Sequence, residues 1–399
     1  MITVEEHLAA ILAAVRPLDE VAVGLVDALG STLREPVHAA VDLPLFDNSA
    51  MDGFAVRFAD VATASAASPV ELRVVADLPA GTSLDPKLTA GEAARIMTGA
   101  PVPTNADTVV PFEATLGGLA DSLTTARVVE VSRGLGAHIR RRGEDSLGGA
   151  ELVAAGAELG AWQLAAIAAA NVDRVTVSRR PRVAVVSTGS ELVGPGSILA
   201  PGQIPESNAL LLGALAVESG AELVLQTTVG DVDDDLQRAL ADATARGADV
   251  VITSGGVSAG AYEVVKSAIA DMTFTKVAMQ PGKPQGFSPG HPLMFGLPGN
   301  PVSAAVSFEA FVRPALLLMQ GRTRIQRRML RLPAAEGWRA PHGRRQYLPI
   351  TVDDDGVSPT TTRGSHAAGG LARADGYAVI PDGVDVIAVG DTVDVMLLS

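Results

Sequence analysis

The stretch Ala248-Asp-Val-Val-Ile-Thr-Ser-Gly-Gly-Val-Ser-Ala-Gly260 decides the fold of this 399-residue chain. The apolar run from Val250 to Ile252 predicts a short buried strand, which ends at Gly255 and Gly256. Helical spacing resumes over Ala261–Ala270. Unpaired backbone N–H groups and the dipole at such a helix start form an anion site. A tight turn without a ligand is the alternative, and the two glycines alone do not decide between them.

Strands and helices alternate on both sides of this stretch. We predict strands over Val183–Val186, Glu222–Thr228 and His291–Phe295, helices over Asn208–Ser219 and Asp233–Arg246, and a long helix that has Asn300 as its cap and Pro301 at its first position. This alternation predicts a doubly wound, mostly parallel sheet, which binds ligands outside the carboxyl ends of its strands.

Reactive side chains follow these predicted strand ends. Carboxylates there suit a hard cation such as Mg²⁺, and lysines with backbone N–H groups suit phosphate or another oxyanion. Each residue alone is more often structural, but their joint position at one sheet edge favours a site that handles anions. The residues concerned are Thr188, Glu191, Asp231, Ser254, Ser258, Lys276, Lys283 and Ser303.

The composition describes a folded acidic chain. A formal net charge of −14 argues against binding to nucleic acid or to an anionic membrane. Cysteine is absent, which fits a reducing compartment and excludes thiolate ligands and a cysteine nucleophile. The six histidines match no metal-ligand spacing. Because no signal-peptide pattern and no apolar stretch of membrane length is evident, we expect a cytoplasmic location without membrane insertion.

The first third begins with a helix and continues as β-rich sequence. Thr3 and Glu6 form a capping-box pattern before the first helix, and a second short helix is predicted over Val26–Leu33. A loop then carries Asp47 and Asp52, for which composition alone favours Asx-turn and capping roles. Short strands are predicted across residues 57–140. The three arginines that follow, Arg140 to Arg142, are either a solvated turn or a local anion clamp.

The last quarter combines a basic connector with an all-β segment. The connector contains Arg322, Arg324, Arg327, Arg328 and Arg331, and a solvated linker is the favoured interpretation. Residues 332–399 predict a small barrel or sandwich without a catalytic motif. Arg344, Arg345 and Ser365 are candidate contacts for an anion.

Seven stretches, in order along nearly the whole chain, resemble the MoeA family of molybdopterin molybdenumtransferases, which is related to the E domain of gephyrin. They are Phe46-Asp-Asn-Ser-Ala-Met-Asp-Gly-Phe54, Arg95-Ile-Met-Thr-Gly-Ala-Pro-Val-Pro103, Ile139-Arg-Arg-Arg-Gly-Glu-Asp145, Ser187-Thr-Gly-Ser-Glu191, Ser254-Gly-Gly-Val-Ser258, Pro281-Gly-Lys-Pro284 and Gly296-Leu-Pro-Gly-Asn-Pro-Val-Ser303.

The resulting fold class is multidomain α/β. Residues 1–175 form an N-terminal region, with helical parts over 1–45 and 146–175 and a β-rich insertion over about 53–140. The resemblance implies that residues 178–322 form the doubly wound, mostly parallel, molybdopterin-binding α/β domain. Residues 326–399 form a small all-β C-terminal barrel.

The resemblance implies an enzyme that combines adenylylated molybdopterin with molybdate, using Mg²⁺, to give molybdenum cofactor and AMP. It also implies a homodimer whose active site is shared between subunits, with molybdopterin adenylyltransferase as a pathway partner. The dithiolene sulfurs of the pterin bind molybdenum, so the enzyme needs no cysteine.

The family's functional residues carry over to matching positions of this chain. The catalytic positions implied are Asp52, Thr98, Asp145, Glu191 and Asp231. The substrate-binding positions implied are Ser187, Thr188, Gly255, Gly256, Ser258, Lys276, Lys283, Pro284 and Ser303. The metal positions implied are Asp231, Glu263 and Glu191.

Three positions depart from the family pattern. Glu263 and Glu206 stand where aspartate is common, and Gln280 stands where lysine is common. A lost charge-assisted hydrogen bond is worth roughly 1.5–3 kcal/mol, so Gln280 predicts weaker oxyanion binding, by about tenfold or more. These departures also admit a gephyrin-like scaffold that binds a partner peptide. A third alternative is the adenylyltransferase of the same pathway, which the N-terminal loops and the C-terminal β-domain argue against.

Overall fold

The computed structural model describes residues 1–120, 122–131, 134–230, 233–256, 269, 271–360 and 367–398. The helix predicted over Ala261–Ala270 lies outside these residues, except for Ile269. Two compact units divide the chain. The larger unit comprises residues 1–35, 155–160 and 176–399, and the smaller unit comprises residues 36–154 and 161–175.

Short strands dominate the first 181 residues. The helices are α1 (Val4–Ala14), α2 (Phe58–Val61) and α3 (Ala161–Ala169). The strands are β1 (Glu20–Gly24), β2 (Val37–His38), β3 (Asn48–Ser49), β4 (Gly53–Val56), β5 (Val70–Leu78), β6 (Glu92–Ile96), β7 (Thr108–Pro111), β8 (Thr115–Leu116), β9 (Thr125–Val128), β10 (Ile139–Arg140), β11 (Glu151–Val153) and β12 (Arg174–Ser178).

The remainder of the chain alternates strands with helices and then turns to strands. The helices are α4 (Asn208–Glu218), α5 (Asp233–Ala245), α6 (Pro301–Met319) and α7 (Ala368–Leu371). The strands are β13 (Arg182–Thr188), β14 (Leu192–Val193), β15 (Ile204–Pro205), β16 (Glu222–Val229), β17 (Val250–Ser254), β18 (Thr273–Lys276), β19 (Met279–Gln280), β20 (Pro284–Ser288), β21 (Leu293–Leu297), β22 (Met329–Pro333), β23 (Trp338–Arg339), β24 (Arg345–Asp353), β25 (Gly356–Pro359), β26 (Gly376–Ile380), β27 (Val386–Ile387) and β28 (Thr392–Leu397).

The central sheet of the larger unit has helices on both faces. Its order is β16-β13-β17-β21-β20-β18, and β13 is parallel to β16 and β17, as β17 is to β21. Val183 and Val185 belong to the same core cluster as Leu212 of α4, whereas Ala184 packs in a second cluster with Leu236 of α5. Since successive side chains of a strand point to opposite faces, residues 183–186 of β13 are all apolar because both faces are covered. This confirms the doubly wound prediction.

The C-terminal strands of the larger unit close into a small barrel, as predicted. β25 pairs with β24, and the pairing continues through β26 and β28 to β22. A bridge between Ala334, directly after β22, and Val357 of β25 then joins the last strand of this series to the first. This closure joins the end of β22 to β25, which shortens the edges that could pair with another chain.

The smaller unit is built on a mixed sheet of order β7-β4-β6-β5-β9-β8. Phe54 and Val56 face one apolar cluster and Ala55 faces another, so both sides of β4 are buried. A Cβ atom at Gly53 would lie 2.1 Å from the backbone oxygen of Val110, which leaves room for glycine alone. The first residues after Asp52 are therefore held firmly in the sheet.

Local capping signals are confirmed at α1, but the helix predicted over Val26–Leu33 is wrong. Thr3 and Glu6 exchange the two hydrogen bonds of a capping box, at 3.1 and 2.8 Å. Residues 26–33 instead form turns and isolated β-bridges, and Leu33 pairs with Val177. Leu33 is fully buried there, and this tertiary pairing outweighs the helical spacing of its apolar residues.

The expectation that no apolar stretch reaches membrane length is also wrong for α6. By length and composition this 19-residue helix could cross a membrane, but 89% of its most apolar window is buried inside the fold. Its apolar residues therefore serve the core of the larger unit.

A buried ion pair joins α6 to the arginine-rich connector. Glu309, in a π-helical turn of α6, accepts hydrogen bonds from Nε and Nη2 of Arg327, both at 3.0 Å. Arg327 also donates to the backbone oxygen of Leu398 at 2.7 Å, and Arg322 donates to Glu158 at 2.5 Å. The solvated-linker interpretation is therefore wrong for these two arginines, because their side chains are only 19% and 11% exposed and both are hydrogen-bonded within the fold.

Replacing Glu309 with glutamine is expected to lower the free energy of unfolding by about 3–5 kcal/mol, because Arg327, and Arg313 at 3.9 Å, then lose their buried counter-charge. Urea denaturation measures the change. The matched control is Glu222→Gln, whose carboxylate is exposed and 3.8 Å from Arg182. That change is expected to cost less than about 1 kcal/mol. Equal losses in the two variants would contradict this account of the buried pair.

Candidate active site

The carboxyl ends of the parallel strands meet at one edge of the central sheet. Ser187 of β13 lies opposite Ser254 of β17, which lies opposite Leu297 of β21. Lys276 ends β18 opposite Pro284, the first residue of β20. Because β20 runs antiparallel to β21, this pair reaches the same edge. The structure thus brings together residues that follow one another at long intervals in the sequence.

The glycine loop begins directly at this edge. Gly255 has a φ of +94° and Gly256 a φ of +67°, a region that residues with a side chain rarely adopt. A Cβ atom at Gly255 would lie 2.4 Å from the backbone oxygen of Thr188. The loop therefore passes so close to the end of β13 that only glycine fits at position 255. Ser258 lies outside the described residues.

Glu191 occupies the turn after β13. A Cβ atom at Gly189 would come within 2.8 Å of Oε2 of Glu191, so this carboxylate lies over the glycine. Its predicted metal partners, Asp231 and Glu263, lie outside the described residues. Within the part of the chain that the structure describes, no three His, Asp or Glu side chains form a metal-binding group. The magnesium site stays a prediction.

A buried polar network supports the strand ends beneath the glycine loop. Asn208, the first residue of α4, donates from Nδ2 to Oγ of Ser254 at 2.8 Å and to the backbone oxygen of Gly299 at 2.6 Å. Glu206 accepts from Oγ of Ser187 at 2.8 Å and from the backbone of Ala209 at 2.7 Å. The hydroxyl of Ser187, a predicted substrate ligand, is thus committed to Glu206.

Sequence reasoning missed Asn208. The available signal was a polar run, Glu206 to Asn208, directly before an apolar helix. Such a run predicts capping, whereas the contacts of Asn208 reach a strand end and a loop that lie 46 and 91 residues away in sequence. A local pattern cannot show these partners.

A cavity of about 620 Å³ opens beside the sheet edge, between the segment that follows β18 and the C-terminal barrel. Lys283, Arg339 and Arg344 contribute three cationic side chains, and the described residues that line the cavity include no carboxylate. Ser303, at the start of α6, is also part of its wall. This charge distribution favours an anionic ligand. The remaining lining residues are Met279, Gln280, Pro281, Gly282, Pro284, Val302, Trp338, Ala340, Pro341, Gln346, Tyr347, Leu348 and Pro349.

Not every predicted anion ligand faces this cavity. Lys276 is not among its lining residues, and Arg345 instead pairs with Glu5 at 2.5 Å. Ser365 lies outside the described residues. Gln280 does line the cavity, and its buried Oε1 has no hydrogen-bond partner among the described residues. Gln280, a neutral residue at a position where the family commonly has lysine, therefore lies in the wall of the cationic cavity.

The smaller unit holds the other three predicted catalytic residues. Thr98 donates its backbone N–H to Oδ1 of Asp52 at 2.6 Å, and Asp145 donates its own to the backbone oxygen of Leu43 at 2.9 Å. The bond from Thr98, first through its backbone and then through its side chain, lowers the pKa of Asp52. Asp52 is therefore an anion at neutral pH, suited to bind a cation or a donor rather than to act as an acid.

Fold and site together define a multidomain α/β protein that presents a glycine loop and a cationic cavity for an anion. Three family models match it in order: the MoeA N-terminal region (domain I and II) over residues 2–171, a probable molybdopterin binding domain over residues 184–317, and the MoeA C-terminal region (domain IV) over residues 331–398.

Similar proteins agree with these matches. The chain is 42% identical to molybdopterin molybdenumtransferase 2 of Mycobacterium tuberculosis, covering 100% of both chains. It is 37% identical to the molybdopterin molybdenumtransferase of a Nostoc species, covering 94% of this chain and 88% of that protein. A solved molybdopterin biosynthesis moeA structure from Pyrococcus horikoshii superimposes with a TM-score of 0.83, at 25% identity and full coverage of both chains. The chain belongs to the MoeA family.

Proposed function

We propose that this protein is a molybdopterin molybdenumtransferase of molybdenum cofactor biosynthesis. It would insert molybdate into adenylylated molybdopterin, cleave the phosphoanhydride and release AMP and molybdenum cofactor. The observation that carries the proposal is the presence of a cationic cavity and a glycine loop at the same carboxyl edge of the sheet. Full-length relatives that carry this enzyme name support it.

The predicted site residues fall into two groups: those that would bind the anionic substrates and those that would bind Mg²⁺. The N–H groups of the glycine loop and Lys276 would hold phosphate oxygens, and Lys283 with Ser303 would hold molybdate. Thr188, beside the glycine loop, and Pro284, in the cavity wall, would shape the two parts of the anion-binding surface. Carboxylates at Glu191, Asp231 and Glu263 are oxygen donors of the kind that Mg²⁺ prefers. When bound, Mg²⁺ would polarise the anhydride.

Two alternatives fit less well. Separate family models match the N-terminal and C-terminal regions, which disfavours an adenylyltransferase built from the middle domain alone. A gephyrin-like scaffold is not favoured either, since the curated full-length relatives are named as enzymes. The effects of Glu263, Gln280 and Glu206 on activity stay predictions.

We further propose a cytoplasmic homodimer, in which Asp52, Thr98 and Asp145 of one subunit complete the site of the other. Molybdopterin adenylyltransferase would supply its substrate. The absence of cysteine supports a reducing compartment, and membership of the MoeA family supports the shared site.

Replacing Lys283 with methionine is expected to raise the KM for molybdate about tenfold or more, because a charge-assisted hydrogen bond is lost. AMP release from adenylylated molybdopterin, at varied molybdate with Mg²⁺ present, measures this effect. The control is Lys87→Met, an exposed lysine of the smaller unit. No AMP from the unaltered protein would reject the proposed function. An unchanged KM in the Lys283 variant would reject only the assignment of the cavity.

A further inference from the structure

The segment 42–52 of the smaller unit contacts both other loops that carry predicted catalytic residues. Ser49 accepts from the backbone of Gly99 at 2.8 Å and donates to Ala100 at 3.0 Å. On its other side, Ser49 pairs with Ile139 between β3 and β10. The loops around Thr98 and Asp145 are therefore both connected to one short piece of chain.

Asp47 makes a contact to each loop from a single residue. Its carboxylate accepts from the backbone N–H of Arg142 at 2.8 Å and from Nη1 of Arg141 at 2.6 Å. Its backbone oxygen accepts from the N–H of Val102 at 3.0 Å. The hydrogen bond from Arg142, and then that from Arg141, lowers the pKa of Asp47. The charged form is therefore the one that holds the arginine loop.

Asp42 fastens the far side of the same arginine loop. Its carboxylate accepts from the backbone of Gly148 at 2.7 Å and from Nε of Arg142. Between these anchors, Leu43 accepts from the backbone N–H groups of Asp145 and Ser146, at 2.9 and 3.1 Å. Asp145 thus lies on a loop that is held at both ends by carboxylates and in the middle by the backbone.

We propose that Asp47 is a positioning residue, whose carboxylate and backbone oxygen together set the Asp145 loop relative to the Thr98 loop. This inference rests on the proposed function, since the loops matter only if their residues act on the substrate. Asp47 is partly exposed, and exposed ion pairs contribute little to folding. Its value therefore lies in the local arrangement of the two loops, where a displacement of about 1 Å can lower the rate by about a hundredfold.

Replacing Asp47 with asparagine tests the proposal. In asparagine, an NH2 group replaces one oxygen of the carboxylate. This donor would face the N–H donors of the arginine loop, so one of the two contacts of the carboxylate is lost. We expect kcat for AMP release to fall about tenfold or more, with the KM for molybdate unchanged. We also expect faster amide hydrogen exchange in the peptide 139–148.

Glu92→Gln is the matched control. The carboxylate of Glu92 has the same two kinds of partner, the backbone N–H of Thr89 at 2.8 Å and the guanidinium of Arg73, but it lies away from both loops. We expect kcat and exchange in peptide 139–148 to match the unaltered protein. Arg141→Gln removes one partner of Asp47 and is expected to lower kcat in the same direction, so it decides the test if the Asp47 variant does not fold.

The outcomes separate the two proposals. If the unaltered protein releases no AMP, both the function and this inference fall. If it is active and Asp47→Asn keeps its kcat, only the positioning role is overturned. The same holds if kcat falls equally in the Glu92 control, if the change is confined to the KM for molybdate, or if exchange in peptide 139–148 is unaltered.

Discussion

Replacing Gly255 with alanine is expected to abolish AMP release and to destabilise the larger unit by about 2–4 kcal/mol. The new Cβ atom would lie 2.4 Å from the backbone oxygen of Thr188 and 2.9 Å from its Oγ1. Neither the strand end nor the loop can yield easily, since Ser254 is paired with strands on both sides. The N–H groups of the loop would then leave the arrangement proposed to hold phosphate. Urea denaturation and the AMP assay measure the two effects.

Gly196→Ala separates the clash from the cost of backbone conformation. Gly196 also has a positive φ, +85°, but a Cβ atom there would meet nothing within 4 Å. Only the strain of a left-handed residue is added, about 1–2 kcal/mol, and activity is expected to persist. If Gly255→Ala retained full activity and behaved like this control, the close approach of the loop to β13 would have no functional importance.

Mixing two variants that are each weakly active at limiting molybdate is expected to restore activity if the proposed dimer shares its sites. One variant carries Asp52→Ala in the smaller unit and the other carries Lys283→Met in the larger unit. In a mixed dimer, one site contains both Asp52 and Lys283, and the other site contains both substitutions. Random pairing makes half of the dimers mixed, so about a quarter of the wild-type activity is expected at molybdate below the wild-type KM.

Each variant alone, and a mixture of either with Glu92→Gln, provides the controls. Co-expression with two different affinity tags isolates the mixed dimer, and sedimentation establishes its mass. A mixed dimer without activity would show that each site is built within one subunit. A monomer would reject the proposed assembly while leaving the proposed reaction open.

Much of the central sheet was predictable because its signals are local. The apolar run of Val250 to Ile252, followed by glycines, predicts a buried strand, and the structure has β17 there. Asn300 and Pro301 begin α6 where their backbone preferences indicate. The capping box at Thr3 is formed as expected. In each case the residues that carry the signal lie within a few positions of each other.

Contacts at long range were not predictable from the same patterns. Val26–Leu33 has helical spacing, yet it forms turns because its partners lie in other segments. The sequence pattern predicts that Arg327 is a solvated connector residue, yet Arg327 forms a buried ion pair with Glu309. Composition favoured a capping role for Asp47, but not its partners Arg141 and Arg142, which lie more than ninety residues further along the chain.

By itself, the sequence determined the alternation of strands and helices, the glycine loop, and which residue types stand at the strand ends. These features follow from backbone preferences and periodic burial, which act over one turn or one strand. Only the tertiary structure decided that Lys283, Arg339 and Arg344 share a cavity and that Asn208 and Asp47 join separate loops. Charges and hydrogen-bonding groups act on whatever lies within a few ångströms, and folding alone brings distant residues that close.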